Sequence, residues 1–230
     1  MKKNYSYIGV AFIILVFGII FIPDIIDRVK NNDIVEDDRM SKSELAVLEL
    51  NGKTRTVPDF LFINQDSLPI SNEDYMGKVW VAEFFFTTCP TICPIMNAKM
   101  KTIEEQFGTR EDFGIASFTI DPEKDTPTKL KQYAELYEIQ SPNWHLMTGQ
   151  KEDLMGLANT GFNIYAGEGP EEVGGFEHSG LFALIDKQGR IRSRYDSHGN
   201  PFIYYRAIEE EGLSDQIAAL KEDILKLLEE

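Results

Sequence analysis

The chain holds only two cysteines and three histidines. Cys89 and Cys93 stand in the run CPTICP, followed at once by Pro94. If this segment is helical from about Pro90, the i, i+4 spacing sets both sulfurs on one side, close enough to share a bond or an ion. The first turn of a helix also offers unpaired N–H groups and a positive dipole end, which lower a thiol pKa. A structural disulfide across so short a loop removes little entropy from the unfolded chain, so the pair is better suited to being opened, oxidised or metallated. Two thiolates are soft donors that suit Cu(I) or Zn(II). A structural zinc site calls for four ligands and a second clustered pair, which is missing. A three-coordinate Cu(I) site needs only one imidazole, from His145, His178 or His198.

The elements that must position these groups are legible in the hydrophobic pattern. Residues 45–50, the Asn51-Gly52 turn signal and residues 54–57 form an expected hairpin, with an added strand over 60–64. VWVAEFFF, residues 79–86, is a nearly unbroken apolar run that suits a central strand buried on both faces, and it ends at Thr87-Thr88-Cys89-Pro90. A helix is expected over 94–107, a buried strand over 114–120, a second helix from Thr126-Pro127 to about Glu138, a strand over 144–147 and a helix over 151–159. Strands 181–186 and 190–195 flank Lys187-Gln188-Gly189 as a hairpin, and residues 213–228 carry an apolar helical stripe. The run GEGPEEVGG, residues 167–175, is too rich in glycine and acid for regular structure and is expected to be a surface loop. This order suggests an α/β sandwich of the thioredoxin type with an N-terminal hairpin extension. In such a fold the turn after a central strand presents cysteines at the head of a helix. It also selects among the histidines. His178 precedes a strand at the end of the sheet that faces the cysteines, whereas His145 lies in an apolar strand beside Trp144 and His198 in a turn. Met96, Met100, Met147 and Met155 sit at spacings that suit core packing.

The 230 residues carry a formal charge of -15 and are 43% hydrophobic, a globular composition whose acidity excludes a nucleic-acid partner. Residues 7–22, YIGVAFIILVFGIIFI, follow Lys2 and Lys3 without a charge. Sixteen residues is near the lower limit for a single-pass transmembrane helix, and Ile25 and Ile26 extend the apolar stretch for a tilted one. No small-x-small cleavage site follows and no cysteine lies near to accept a lipid, which favours an uncleaved anchor. The two lysines hold the N-terminus in the cytoplasm. The organisation expected is therefore a cytoplasmic tip and anchor over 1–26, an acidic linker over 27–42, and a folded domain over 43–230 on the periplasmic or other extracytoplasmic side of the inner membrane.

PDFLFINQD, GKVWVAEFFFTTCPTICP, TIDPEKDTP and the histidine ahead of LFALIDKQGRI together resemble the Sco/SenC proteins, membrane-anchored copper-binding members of the thioredoxin superfamily. The resemblance spans residues 58–198. It implies that Cys89, Cys93 and His178 bind copper; the thiolates suit Cu(I), and an imidazole with a distal oxygen ligand also tolerates Cu(II). It further implies delivery to, or thiol reduction of, the CuA centre in cytochrome c oxidase subunit II, with a copper donor or thiol reductase upstream. Asp121 and Asp125 match the acids of the family's DPxxDTP element, read here as docking or site-shaping groups, or as a turn and a helix cap. Thr88 and Glu177 depart from the family, standing where many relatives have an imidazole or aromatic group and an aspartate.

The residues leave two principal functions open. A metallochaperone uses the thiols and His178 together and passes the ion on by ligand exchange. A thiol-disulfide reductase uses Cys89 and Cys93 as a redox pair and needs no histidine. A peroxidase of the peroxiredoxin type relies on a lone nucleophilic cysteine and fits CPTICP poorly.

Overall fold

The computed structural model describes residues 15–17, 45–50, 52–170, 175–196, 198–209 and 212–230, and the chain from Glu44 to Glu230 forms one compact unit. The expected anchor lies outside the described residues except for 15–17, and the linker lies outside them entirely. Among the described residues, no helix is long and apolar enough to cross a membrane.

The strands are β1 (Ala46–Val47), β2 (Glu49–Leu50), β3 (Lys53–Thr54), β4 (Leu61–Asn64), β5 (Pro69–Ser71) and β6 (Val79–Phe85). Helix α1 (Ile92–Phe107), β7 (Phe113–Thr119), α2 (Pro127–Leu136), β8 (Trp144–Thr148) and α3 (Lys151–Gly156) follow. The chain then runs through β9 (Ala166–Glu168), β10 (Phe176–His178), β11 (Leu181–Ile185), β12 (Ile191–Ser193), β13 (Tyr205–Arg206) and α4 (Ile217–Glu229). The principal sheet has the order β1-β12-β11-β6-β7-β8-β4-β5, with β13 also on β11. Strands β6, β7 and β8 are parallel, and β11 and β4 pair antiparallel on either side of them.

The continuous apolar runs mark the middle of the sheet, as both-face burial demands. Every residue of β6 and of β7 is buried. Alternation sends neighbouring side chains to opposite faces. Phe84 stacks on Phe118 with ring centroids 5.4 Å apart and meets Phe162 edge-on, while Phe85 packs against Tyr133 of α2 at 5.5 Å. Phe60 and Phe62 close the first of these clusters over Phe118. Met96, Met100 and Met147 are fully buried, and Met155 packs at the edge of the core.

Several boundaries differ from the sequence pattern for physical reasons. The N-terminal segment does not lie ahead of the sheet: β1 joins one end of it, β2 and β3 form a separate hairpin, and β4 joins the other end. The helix expected over 151–159 is α-helical only to Gly156. It then widens into a π-helical stretch, Leu157–Phe162, that ends at Asn163 with φ of 56°. Helix α4 starts at Ile217 instead of Leu213, because the Asp215 carboxylate accepts the Ile217 N–H at 3.1 Å and Leu213 is exposed. The hairpin β11–β12 turns as expected at Gly189, whose φ of 75° suits glycine, with Asp186 accepting the amides of Gln188 and Arg190.

Phe118 lies at the centre of the larger aromatic cluster and is fully buried. Phe118→Ala should lower unfolding stability by about 3–5 kcal/mol. Urea unfolding followed by circular dichroism measures this, and an unchanged midpoint would contradict the packing described.

Candidate metal centre

The register of the sheet brings the far histidine to the cysteines. Strand β11 runs antiparallel to β6, pairing Ala183 with Ala82 and Leu184 with Val81. The beginning of β11 therefore lies beside the end of β6, where the chain turns toward Cys89. His178 is the last residue of β10, just ahead of β11. Its Nε2 stands 2.9 Å from Cys93 Sγ. The ligating atoms of Cys89, Cys93 and His178 all lie within 4.8 Å of one another, a spacing that could hold one metal ion.

The cysteines are not two steps along one helix. Helix α1 begins at Ile92, so Cys93 occupies its first turn while Cys89 lies in the turn before it. The sulfurs approach because the Cys93 N–H, left without an intrahelical acceptor, points at Cys89 Sγ over 3.4 Å. Thr91 Oγ1 is 3.6 Å from the same sulfur. Pro94 is tolerated because its position in the first turn has no intrahelical N–H bond to lose. Both thiols are free.

The two sulfurs differ electrostatically. Hydrogen bonding from Cys93, opposed by partial burial and reinforced by His178, pulls the Cys89 thiol down to about 3. Burial pushes the Cys93 thiol up, and the neighbouring Cys89 sulfur adds to this. Cys89 also faces a cavity of about 270 Å³ lined by Phe86, Ile92, Tyr165 and Phe176 among others, whereas Cys93 is fully buried. His178 is 9% exposed. Its ring lies edge-on to Phe86 at 5.8 Å, and Nδ1 is 3.2 Å from the Ser179 carbonyl, a partner that favours a proton on Nδ1 and leaves Nε2 as the donor atom.

The other histidines stay away from this cluster. His145 Nδ1 is 3.2 Å from Asn64 Nδ2, inside the packed layer, and burial lowers its pKa. His198 is a largely exposed turn residue. Residues 167–175 are not wholly irregular: β9 pairs with β10, matching Ala166 with His178, so a hairpin carries the imidazole. Glu177 pairs with Gly167 across this hairpin, and its side chain lies outside the described part. Asp121 and Asp125 are buried, and neither hydrogen-bonds a sulfur or the imidazole. Asp121 Oδ2 lies 3.0 Å from Lys124 Nζ, and Asp125 accepts bonds from Thr87 and Thr119.

One group beneath the centre escaped the sequence reading. Glu83 of β6 is fully buried, accepts the Ser117 hydroxyl at 2.7 Å through Oε1 and leaves Oε2 without a partner. Ser117 in turn accepts the Trp144 indole N–H at 2.9 Å. Burial raises the Glu83 pKa to about 7, and its charge works against ionisation of Cys93. Its signal was a single acid inside the apolar run 79–86.

Residues 49–211 match the SCO1/SenC family model. The chain belongs to the SCO1/SenC family. A SCO1 protein homolog of Bacillus subtilis is 34% identical over 148 residues, 63% of this chain and 75% of that protein. The crystal structure of a SCO1/SenC family lipoprotein from Bacillus anthracis superposes with a TM-score of 0.62 at 29% identity, over 76% of this chain and 95% of that one. BsSco, described as a member of the Sco family of cytochrome c oxidase assembly proteins, gives a TM-score of 0.61 at 29% identity over 75% and 93% of the two chains. Copper-bound ScoI from Bradyrhizobium japonicum shares the fold at 21% identity over 74% and 99%, with a TM-score of 0.55. The fold of this SCO1/SenC chain is accordingly thioredoxin-like, a mixed α/β sheet with helices packed on it.

Glu83 gives a pH dependence of defined sign. Its folded pKa of about 7 lies above the ordinary value of a glutamate carboxyl, so its neutral form is favoured on folding and stability is lost as pH rises from about 4 through about 7. Over that window the metal-free parent should lose about 3 kcal/mol that Glu83→Gln does not. Urea unfolding of both proteins at several pH values measures the difference, and parallel pH profiles would contradict it.

Proposed function

We propose that this protein is a copper metallochaperone, with Cys89, Cys93 and His178 holding the ion as cargo. The observation that carries this reading is the convergence of two sulfurs and one imidazole nitrogen of three buried residues within 4.8 Å, beside a cavity that Cys89 and His178 line. Two soft thiolates and one imidazole complete a three-coordinate Cu(I) site, and the imidazole also tolerates Cu(II). Cys89 is the sulfur through which cargo leaves. It lines the cavity, so a thiolate of a receiving protein can approach from that side while Cys93 and His178 still hold the ion. Each ligand is then exchanged in turn, and no free ion is released.

By its family resemblance, the recipient is cytochrome c oxidase subunit II or another copper-receiving protein. The apolar stretch 7–22 would tether the domain to the cytoplasmic membrane, leaving residues 43–230 on the extracytoplasmic side, where that recipient's copper centre is assembled.

The asymmetry of the thiols favours a second activity at the same residues. The Cys89 thiolate can attack a partner disulfide, forming a mixed disulfide and expelling one partner thiolate. The Cys93 thiol, giving up its proton, then attacks Cys89 Sγ, freeing the second partner thiolate and leaving a Cys89–Cys93 disulfide. A thiol reductant must return the pair to the dithiol form.

Titration of the reduced protein with Cu(I) against a chromophoric competitor separates the two activities. The parent should bind one equivalent. Cys93→Ser should lose most of that binding, and His178→Ala should bind at least about tenfold more weakly while still reducing a model disulfide. Parent-like copper affinity in His178→Ala would contradict the chaperone reading.

A further inference from the structure

We propose that Asp125 is the positioning residue for Cys89, acting through Thr87. This inference rests on the copper reading only for its consequence, since the contact itself is independent of any metal. The Asp125 side chain is fully buried. It accepts the Thr87 N–H at 3.0 Å, the Thr87 hydroxyl, and the Thr119 hydroxyl at 2.5 Å. No lysine or arginine pairs with it among the described residues. A buried carboxylate without a counter-cation is tolerated only when its lone pairs are filled, and here neutral donors from two strand ends fill them.

The location of those donors gives the contact its role. Thr87 follows Phe86 at the point where the chain leaves β6, and the Phe86 carbonyl accepts the Cys89 N–H at 3.3 Å. Thr119 is the last residue of β7, and the Ile120 N–H continues the pairing to the Phe85 carbonyl at 2.9 Å. Asp125 therefore ties together the ends of the two central parallel strands and fixes the direction in which the chain departs toward Cys89. It is brought there by its own backbone, whose N–H bonds the Asp121 carbonyl at 2.9 Å, while Thr126 caps α2 by accepting the Lys129 N–H.

The three ligands depend on this carboxylate unequally. Cys93 is carried by the first turn of α1 and His178 by β10, and neither is bonded to Asp125. Cys89 lies in a turn before the helix, with few regular backbone bonds of its own. Loosening at Thr87 should therefore move one sulfur and leave the other sulfur and the imidazole in place. Asp125→Asn is a sharp probe. The amide has one acceptor oxygen where the carboxylate has two, so the Thr87 N–H and Thr119 hydroxyl on Oδ2 and the Thr87 hydroxyl on Oδ1 cannot all be accepted, and the charge that strengthens these bonds is gone.

The test uses the full reduced chain and five proteins: the parent, Asp125→Asn, Thr87→Val, the double variant Thr87→Val/Asp125→Asn, and Thr126→Ala. The last removes the α2 cap and serves as the control for a merely structural loss. Amide hydrogen exchange, measured without copper, should rise about tenfold over residues 87–93 in Asp125→Asn and less in Thr87→Val, with residues 176–178 unchanged. Cu(I) affinity should fall about tenfold to a hundredfold in Asp125→Asn. In the Thr87→Val background the same substitution should have a smaller effect. Parent-like exchange over 87–93 overturns the proposal, as does a Thr126→Ala protein that reproduces both changes. Looser exchange with unaltered copper affinity also overturns it, because the clamp would then not position the ligand. If Asp125→Asn does not fold, Thr87→Val alone must show the exchange change and weaker copper binding, and parent-like behaviour in it overturns the proposal. If the parent binds no copper, the copper reading fails and the exchange comparison still decides whether Asp125 fixes the Cys89 turn.

Discussion

A fully buried thiol and a nearly buried imidazole face each other across 2.9 Å at the end of a mostly apolar strand, and this contact depends on strand register. Pairing of β11 with β6 decides which residue stands beside the end of β6. A slip of one residue would turn every side chain of β11 to the opposite face and carry its N-terminal approach out of line with the cysteine turn. The full burial of Phe182, Ala183, Leu184 and Ile185 on β11 and of every residue of β6 holds that register. Core packing and site geometry are thus one constraint, and residues remote from the sulfurs determine whether three ligands meet.

Within that frame the centre is asymmetric by construction. Cys89 sits in a turn, accepts a helix-terminal N–H and faces a cavity, so it is the accessible and readily ionised sulfur. Cys93 lies in the helix, fully buried, with the Glu83 carboxyl below it in the sheet. A donor set with one sulfur and one imidazole lining a cavity and a second sulfur fully buried suits stepwise ligand exchange, because the ion need never leave all its ligands at once. The same division suits an attacking and a resolving thiol. One asymmetry thus fits the same pair of residues to metal exchange and to dithiol chemistry.

Much of this was legible in the sequence because it is local. CPTICP, the apolar run 79–86, the Gly189 hairpin and the stripe of α4 each carry their own periodicity or turn chemistry. His178 was legible through the order of elements, since a residue just ahead of a strand antiparallel to β6 arrives at the cysteine end. What the sequence did not disclose depends on partners distant along the chain. The glycine- and acid-rich composition of 167–175 pointed to a loop, yet the backbone of Ala166–Glu168 finds acceptors and donors in Phe176–His178. The approach of the two sulfurs was read from helical spacing beginning at about Pro90, but the helix begins at Ile92 and Cys89 is reached from outside it. Asp125 read equally well as a docking acid or a cap, because its bonds to Thr87 and Thr119 exist only once two strand ends have met.

The central claim is that one imidazole and two thiolates of the same chain share one ion. X-ray absorption at the copper edge of the Cu(I)-loaded protein tests it directly. The account predicts two sulfur scatterers and one nitrogen scatterer per copper, with the nitrogen contribution absent in His178→Ala and one sulfur absent in Cys93→Ser. A coordination shell of sulfur alone in the parent, or one unchanged when His178 is replaced, would contradict it.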